Sequence, residues 1–334
     1  MSFKRLDPED FVVSADSITA TLWSGGTVAL TNFYTSSVQE AGSSGDFYLN
    51  IYQTASTDTS AAVQFAVTYG NALGSGSSYY NNAVPYVSPT KTNYGQYQNL
   101  VLGDENTDFV FGNITSSEFW AISVDRTRYK ETLFPGSLTL YLSGSGGLLS
   151  LTDNSQIVPT VTYTDAGRVF QIVSGAAGNV FTGVNSNGYS AASGSYGWLL
   201  PDIGTILLNP KAISASIQVD ASRSNNSDGL NYRAIYNAIN LGGNFQINSQ
   251  ETISSDYIFI RARNAEFNYS ENPSFISGST GEVIYNNFIN NPQTFPTTIG
   301  LYNDNNELLA VAKLSRPLLK DFTKEALVRV KLDF

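Results

Sequence analysis

Residues 299–334 have a sequence pattern that constrains the fold of this chain more than the pattern of any other stretch does. Two apolar runs, at 299–302 and 308–314, flank the cluster Asn303-Asp304-Asn305-Asn306. Asn and Asp tolerate positive φ and hydrogen-bond their own backbone in turns, so this arrangement predicts a β-hairpin. From Val328 onward, apolar and polar residues alternate with a period of two, which predicts a strand with one apolar face. We expect this stretch to be tied into a sheet.

The composition of the chain favours strands over helices. Charged residues make up only 14% of it, against about 25% in typical soluble domains, while 42% is hydrophobic. The 20 Tyr and 19 Phe are residues enriched in strands, and an aromatic content of 13% argues against disorder. Neutral polar surfaces rich in Tyr are typical of protein contacts. The sequence therefore predicts a β-dominated assembly subunit.

One helix stands out in this pattern, near residues 231–240. Four apolar residues there lie at i, i+3, i+4 and i+7: Tyr232, Ile235, Tyr236 and Ile239. Gly242-Gly243 then ends the segment. Most other apolar runs are read as strands, including 97–102 and 213–219.

The predicted fold is mainly β, a multi-domain architecture of sandwich-like or barrel-like type. Three domains are expected. Residues 1–135 form a β-rich N-terminal domain with an extended arm, residues 136–220 a β-rich inserted domain, and residues 221–334 a β-rich C-terminal domain with the helix and the closing hairpin.

The sequence offers little for catalysis or metal binding. It contains no His and no Cys, which removes Ser-His-Asp and Cys-His catalysis and the usual zinc sites. A glycosidase would need only two carboxylates at a suitable separation, and the candidates are Asp104, Glu105, Asp108, Glu118 and Asp125. Calcium could bind at 225–229 or 304–307, but neither segment matches a calcium loop, and both are better interpreted as turns or helix caps. We expect no catalytic residue, no cofactor and no metal.

The net charge and its distribution along the chain limit the kinds of partner that the protein can bind. The net charge of −10 disfavours binding to phosphate backbones, and no run approaches the ~20 apolar residues of a membrane helix, so neither nucleic acid binding nor membrane insertion is expected. From Val311 onward, however, six Lys and Arg face three Asp and Glu. This basic segment could dock on an acidic neighbouring subunit, or be the solvated face of an edge strand.

Four segments resemble proteins of one group: FVFGN at 109–113, RYKETLFPGSLTL at 128–140, YGWLLPDIGTILLNP at 196–210, and GLYNDNNELLAVAKLSRPL, which begins at Gly300 and continues to Phe334. The group consists of uncharacterised virion structural proteins of large contractile-tailed bacteriophages, including cyanophages. The resemblance implies a structural, non-enzymatic subunit of the phage tail, and of its baseplate in particular, assembled in the host cytoplasm. Its implied partners are other virion structural proteins and copies of itself.

Two alternatives stay open from the sequence. The protein could be a decoration or collar protein of the head or neck, or a glycan-binding or receptor-binding module of a tail fibre. A fibre module would be expected to carry a trimerising stem, and none is visible. The residues predicted to make subunit contacts are the loop tyrosines and three terminal residues: Tyr79, Tyr80, Tyr86, Arg329, Lys331 and Phe334.

Overall fold

The computed structural model describes residues 3–36, 48–77, 84, 87–189, 194–221, 230–270 and 272–333. The chain divides into two compact units. Unit 1 combines residues 1–17 with residues 252–334, and unit 2 comprises residues 18–251. Within the described residues, no helix has the length and apolar character needed to cross a membrane.

Twenty strands lie in the described part of the chain. They are β1 (Phe11–Thr21), β2 (Ala29–Leu30), β3 (Tyr48–Tyr52), β4 (Val63–Asn71), β5 (Phe109–Phe111), β6 (Ile114–Ser116), β7 (Glu118–Val124), β8 (Thr132–Leu133), β9 (Thr139–Gly144), β10 (Gly147–Asp153), β11 (Thr162–Thr164), β12 (Gly167–Ala176), β13 (Asn179–Val180), β14 (Gly197–Leu200), β15 (Thr205–Leu208), β16 (Phe245–Gln246), β17 (Asn248–Ala262), β18 (Thr298–Tyr302), β19 (Leu308–Lys313) and β20 (Ala326–Asp333). The α-helices described are α1 (Thr90–Leu102), α2 (Pro210–Ile217), α3 (Asn231–Gly242) and α4 (Asn286–Asn290). The prediction of a mainly β fold in more than one unit is confirmed.

Unit 2 is organised around a twelve-stranded sheet. Its order is β2-β16-β9-β10-β12-β14-β15-β7-β4-β3, with β11 and β13 beside β12. Neighbouring strands run antiparallel throughout this sheet. The chain crosses to unit 1 inside two strands, β1 and β17, which are neighbours in a second sheet of order β1-β17-β20.

The strand β7 shows why the large sheet is stable. It lies between β4 and β15, and its side chains alternate between two hydrophobic clusters on opposite faces of the sheet. Trp120 and Ile122 belong to the larger cluster, while Phe119 and Ala121 belong to the smaller one. Because both faces are covered, the strand is almost continuously apolar instead of alternating with polar residues.

The helix predicted near 231–240 is confirmed as α3. Its residues Tyr232, Ile235 and Ile239 are buried in the larger cluster. Gly243, at φ 70°, ends the helix in the left-handed conformation that favours glycine. The Trp120 indole N–H donates to the Asn231 carbonyl at 3.0 Å, which ties the first residue of the helix to β7.

Two further helices contradict predicted strands. The segment 97–102 lies within α1, whose buried residues include Asn93 and Gln98. The Asn93 amide donates to the Tyr69 carbonyl at 3.1 Å, and the Gln98 amide to the Thr107 carbonyl at 2.8 Å. Because polar residues occupy part of the buried face, the sequence lacks the apolar spacing that reveals a helix.

The segment 213–219 lies largely within α2 and not in a strand. The Asn209 side chain caps this helix by accepting a hydrogen bond from the Lys211 N–H at 3.1 Å, and Pro210 occupies the first helical position. An Asn-Pro pair of this kind is a helix-start signal, and it outweighs the β-branched residues that suggested a strand.

The boundaries of the units differ from the three predicted domains. The large sheet contains β4 and β7 from the predicted first domain, β10 and β12 from the second, and β16 from the third. These strands are joined by long-range pairing, which local patterns in a sequence do not specify. The predicted boundaries at 135/136 and 220/221 therefore both fall inside unit 2.

The buried Tyr94 gives a testable pH dependence. Its hydroxyl donates to the Ser116 carbonyl at 2.9 Å, and burial, with the nearby Asp108 carboxylate, raises the pKa of Tyr94 to about 12. Above pH ~10 the unfolded chain releases this proton while the folded chain keeps it, so stability falls as pH rises from about 10 to 12. In Tyr94→Phe the free energy of unfolding should fall less steeply with pH. The difference in slope should correspond to at most about one bound proton per chain, measured by urea unfolding between pH 9 and 12. Equal slopes for both proteins would contradict the assignment.

Candidate assembly interface

The sheet of unit 1 has one apolar face and one mainly polar face, which also carries Phe259 and Leu327. Strands β17 and β20 pair antiparallel, with Ile258 opposite Val330 and Ile260 opposite Val328 on the apolar face. On the other face Tyr257 lies opposite Lys331. The period-two strand predicted from Val328 onward is therefore present, as is the predicted hairpin, which forms from β18 and β19.

Two of the predicted contact residues, Arg329 and Lys331, meet on the polar face. Both are exposed, and their charged groups lie 5.5 and 5.9 Å from the centre of the Tyr257 ring. Lys331 also forms an ion pair with Asp333 at 2.9 Å, which raises the pKa of the lysine and lowers the pKa of the carboxyl. The structure therefore brings these two cations together, and their role in subunit contact stays a prediction. The other four predicted contact residues lie outside the described residues: Tyr79, Tyr80, Tyr86 and Phe334.

Unit 1 buries very little apolar surface of its own. Of its described hydrophobic side chains only Ile258 and Val330 are buried, whereas both hydrophobic clusters consist of unit 2 residues. Sixteen of its described large hydrophobic side chains are exposed. The most exposed, at 58–71%, are Val13, Leu309, Leu327, Ile289, Phe3, Phe295 and Val311. A unit of about 100 residues normally hides well over half of the surface that its unfolded chain exposes. This unit lacks a core in proportion to its size.

A wide groove runs through unit 1. It has a volume of about 2180 Å³ and lies between the apolar face of β17 and β20 and the inner face of the hairpin. The sheet contributes Ile260 and Val328, and the hairpin contributes Ile299 and Leu301. Ligand pockets measure about 300–1,000 Å³, so this groove is larger than a typical small-molecule site.

Specific polar contacts hold the walls of this groove. Lys320 is only 1% exposed, and its ammonium donates to the Asn264 carbonyl, the Asn268 amide oxygen and the Asp321 carbonyl, each at 2.9 Å. Three acceptors match the three N–H donors of an ammonium group. This buried lysine therefore anchors the segment before β20 to the loop that follows β17.

The N-terminal segment is tied to the same unit. Lys4 pairs with Glu266 at 2.9 Å and donates to the Arg261 carbonyl. The Arg263 N–H and then the Lys4 ammonium hold the pKa of Glu266 below its usual value. The ring of Phe3 packs edge-on against Tyr302 at 5.1 Å. These contacts fix one end of the groove.

Four of the five carboxylates considered for glycoside hydrolysis have structural partners, and Glu105 is exposed. Glu118 is buried and accepts from the Tyr69 hydroxyl at 2.6 Å. Asp104 accepts from the Asn106 N–H at 2.9 Å and Asp125 from the Thr127 N–H at 2.9 Å, the pattern of turn-forming Asp residues. Asp108 contacts the Tyr94 hydroxyl at 3.4 Å.

Of the two segments considered for calcium, one is a turn and the other, 225–229, lies outside the described residues. In the turn, the Asn303 side-chain oxygen accepts from the N–H groups of Asn305 and Glu307 at 3.0 and 2.8 Å. Its amide donates to the Glu307 carboxylate at 2.6 Å. In the described part of the chain no three Asp or Glu side chains gather as a metal site would require.

Sequence reasoning missed the thin packing of unit 1. The signal was present at 308–311, where consecutive apolar residues supply both faces of a hairpin strand, but an apolar strand does not reveal what covers it. Comparisons with protein-family models, with curated proteins and with solved structures find no match.

Proposed function

We propose that the protein is a structural subunit of a contractile phage tail, located in the baseplate, and that it acts through subunit contacts and not through catalysis. The observation that carries the proposal is the contrast, among the described residues of unit 1, between sixteen exposed and two buried large hydrophobic side chains. Apolar surface on this scale marks a surface that is covered in the working assembly. The resemblance of four segments of the chain to tail proteins supplies the kind of assembly.

Covering this surface offers energy for assembly. Covering half of one large apolar side chain contributes about 1 kcal/mol. Association costs about 4–15 kcal/mol in lost freedom, so a neighbour has to cover many of the sixteen side chains at once. The exposed cations Arg329 and Lys331 would then add orientation, because charges at the rim of an interface act mainly on specificity and encounter rate.

The test is a cryo-EM reconstruction of intact phage particles that locates density for this chain. We expect it at the distal end of the tail, with residues 252–333 in contact with other chains. Density in the neck or the capsid lattice would keep a structural role and overturn the baseplate position. Density at free fibre tips, with unit 1 facing solvent, would overturn the proposal in favour of receptor binding.

A further inference from the structure

The hairpin of β18 and β19 is apolar on both faces. Its inner face, with Ile299, Leu301 and Ala310, is half-buried toward the groove. Its outer face carries Tyr302, Leu308 and Val311, which are 39, 52 and 58% exposed, while Leu309 is the bulged residue and lines the groove. Strands with one solvated face alternate apolar and polar residues, whereas strands covered on both faces do not. The outer face of the hairpin is thus built to be covered.

Phe3 packs on this face at Tyr302, with 5.1 Å between the ring centroids, but Leu308 and Val311 beside it stay 52 and 58% exposed. Among the described residues β18 pairs only with β19, so the hairpin is a separate two-stranded sheet. Such a hairpin alone is marginally stable in water. The register shift opposite Leu301 and Tyr302 places a bulge in β19, and bulges discourage edge-to-edge pairing. The face, and not the edge, is therefore the available surface.

The charges along the hairpin run from acidic to basic. Asp304 and Glu307 lie at its tip, and Lys313 and Arg316 lie at its base. All four side chains are exposed, and neither cation pairs with a described carboxylate. If two such hairpins pack face to face about a two-fold axis, with opposite directions, each acidic tip meets a basic base. The surface is complementary to itself, as an isologous interface requires.

We propose that two copies of this chain associate through the outer faces of their hairpins. The apolar residues of β19 lie at the centre of the contact, and the acidic tip of each hairpin lies against the basic base of the other. A second copy fits better than an unrelated partner because one surface supplies both halves of the charge pattern. This pairing rests on the proposed assembly role and names a second copy of the chain as the partner of this surface.

Cysteine substitution tests the arrangement directly, because the chain contains no Cys. Val311 lies on the outer face near the midpoint between tip and base, so it is expected close to the two-fold axis. Val311→Cys should give a covalently linked dimer when the purified protein is treated with a bismaleimide that spans the ~10 Å between face-packed sheets, seen on a denaturing gel. Ala312→Cys, one residue along and on the inner face, is the matched control and should stay monomeric on that gel. Equal cross-linking of both variants, or of neither, would overturn the proposal.

Charge reversal tests the orientation. Asp304→Lys/Glu307→Lys makes the hairpin wholly basic, and Lys313→Glu/Arg316→Glu makes it wholly acidic. Each variant alone should self-associate at least about tenfold more weakly than the original chain in sedimentation equilibrium, because like charges then meet. An equimolar mixture should regain association as a heterodimer, which also requires that both variants remain folded. Weak association in the mixture as well would overturn the tip-to-base arrangement.

These results are separable from the proposed function. A chain that is monomeric in solution yet occupies the baseplate would overturn hairpin pairing and leave the baseplate role standing. A dimer that cross-links at residue 311 but is absent from the tail would support the pairing and overturn the location.

Discussion

Trp120→Ala should lower the free energy of unfolding of unit 2 by about 3–5 kcal/mol. Trp120 is fully buried in the middle of β7, and its ring lies 6.4 Å from that of Tyr69 in the neighbouring β4. Truncation leaves a large cavity and also leaves the Asn231 carbonyl without its donor. Urea unfolding followed by hydrogen exchange of peptides from β4 and β15 measures the effect on unit 2 itself.

A matched control for this substitution is Leu148→Ala in β10. Leu148 is 62% exposed, so its truncation should change stability by less than about 0.5 kcal/mol. Trp120→Phe should fall between the two, because it keeps a ring in the cluster but loses the indole N–H. A loss for Trp120→Ala no larger than that of the control would mean that β7 is not at the centre of the core.

Lys320→Met should destabilise unit 1 by about 3 kcal/mol while leaving unit 2 unchanged. Methionine keeps an apolar stem of similar length, but the carbonyl and amide oxygens of Asn264, Asn268 and Asp321 lose the ammonium that satisfies them. Because unit 1 buries so little apolar surface, few other contacts compensate. Hydrogen exchange should rise in peptides covering β17 and β20 and stay constant in those covering β7.

Lys324→Met controls for the loss of a positive charge in the same segment. Its side chain is 50% exposed and its ammonium lies 3.8 Å from the Asp321 carboxylate, so only a small effect is expected. If both lysine variants behave alike, the burial of Lys320 contributes nothing to the fold of unit 1.

The sequence was most informative where one strand or helix supplies its own periodic pattern. The hairpin around Asn303–Asn306, the alternation from Val328 and the helix of Tyr232–Ile239 are each visible within a dozen residues, and all three are present. The helix α1 could not be predicted because Asn93 and Gln98 occupy buried positions that a pattern search expects to be apolar. Polar burial is decided by partners elsewhere in the chain, here Tyr69 and Thr107.

The division into units was hidden for a different reason. Whether β7 pairs with β4 and β15 depends on contacts between residues far apart in sequence, such as Ile122 with Ile206. Only part of the candidate interface could be predicted from the sequence. The apolar residues Leu309 and Val311 were recognised as strand residues, but local pattern does not distinguish a face covered by the same chain from one covered by a neighbour.

The division of unit 1 into two segments imposes an order on its folding. Residues 1–17 leave the ribosome before unit 2, and residues 252–334 leave after it. At about 5–20 residues per second, the roughly 230 residues in between take about 10–50 s to synthesise. Throughout that interval the first strand, with Phe11, Val12 and Val13 exposed, waits without the residues that complete its unit. The two segments of unit 1 can therefore meet only after the whole of unit 2 has been synthesised.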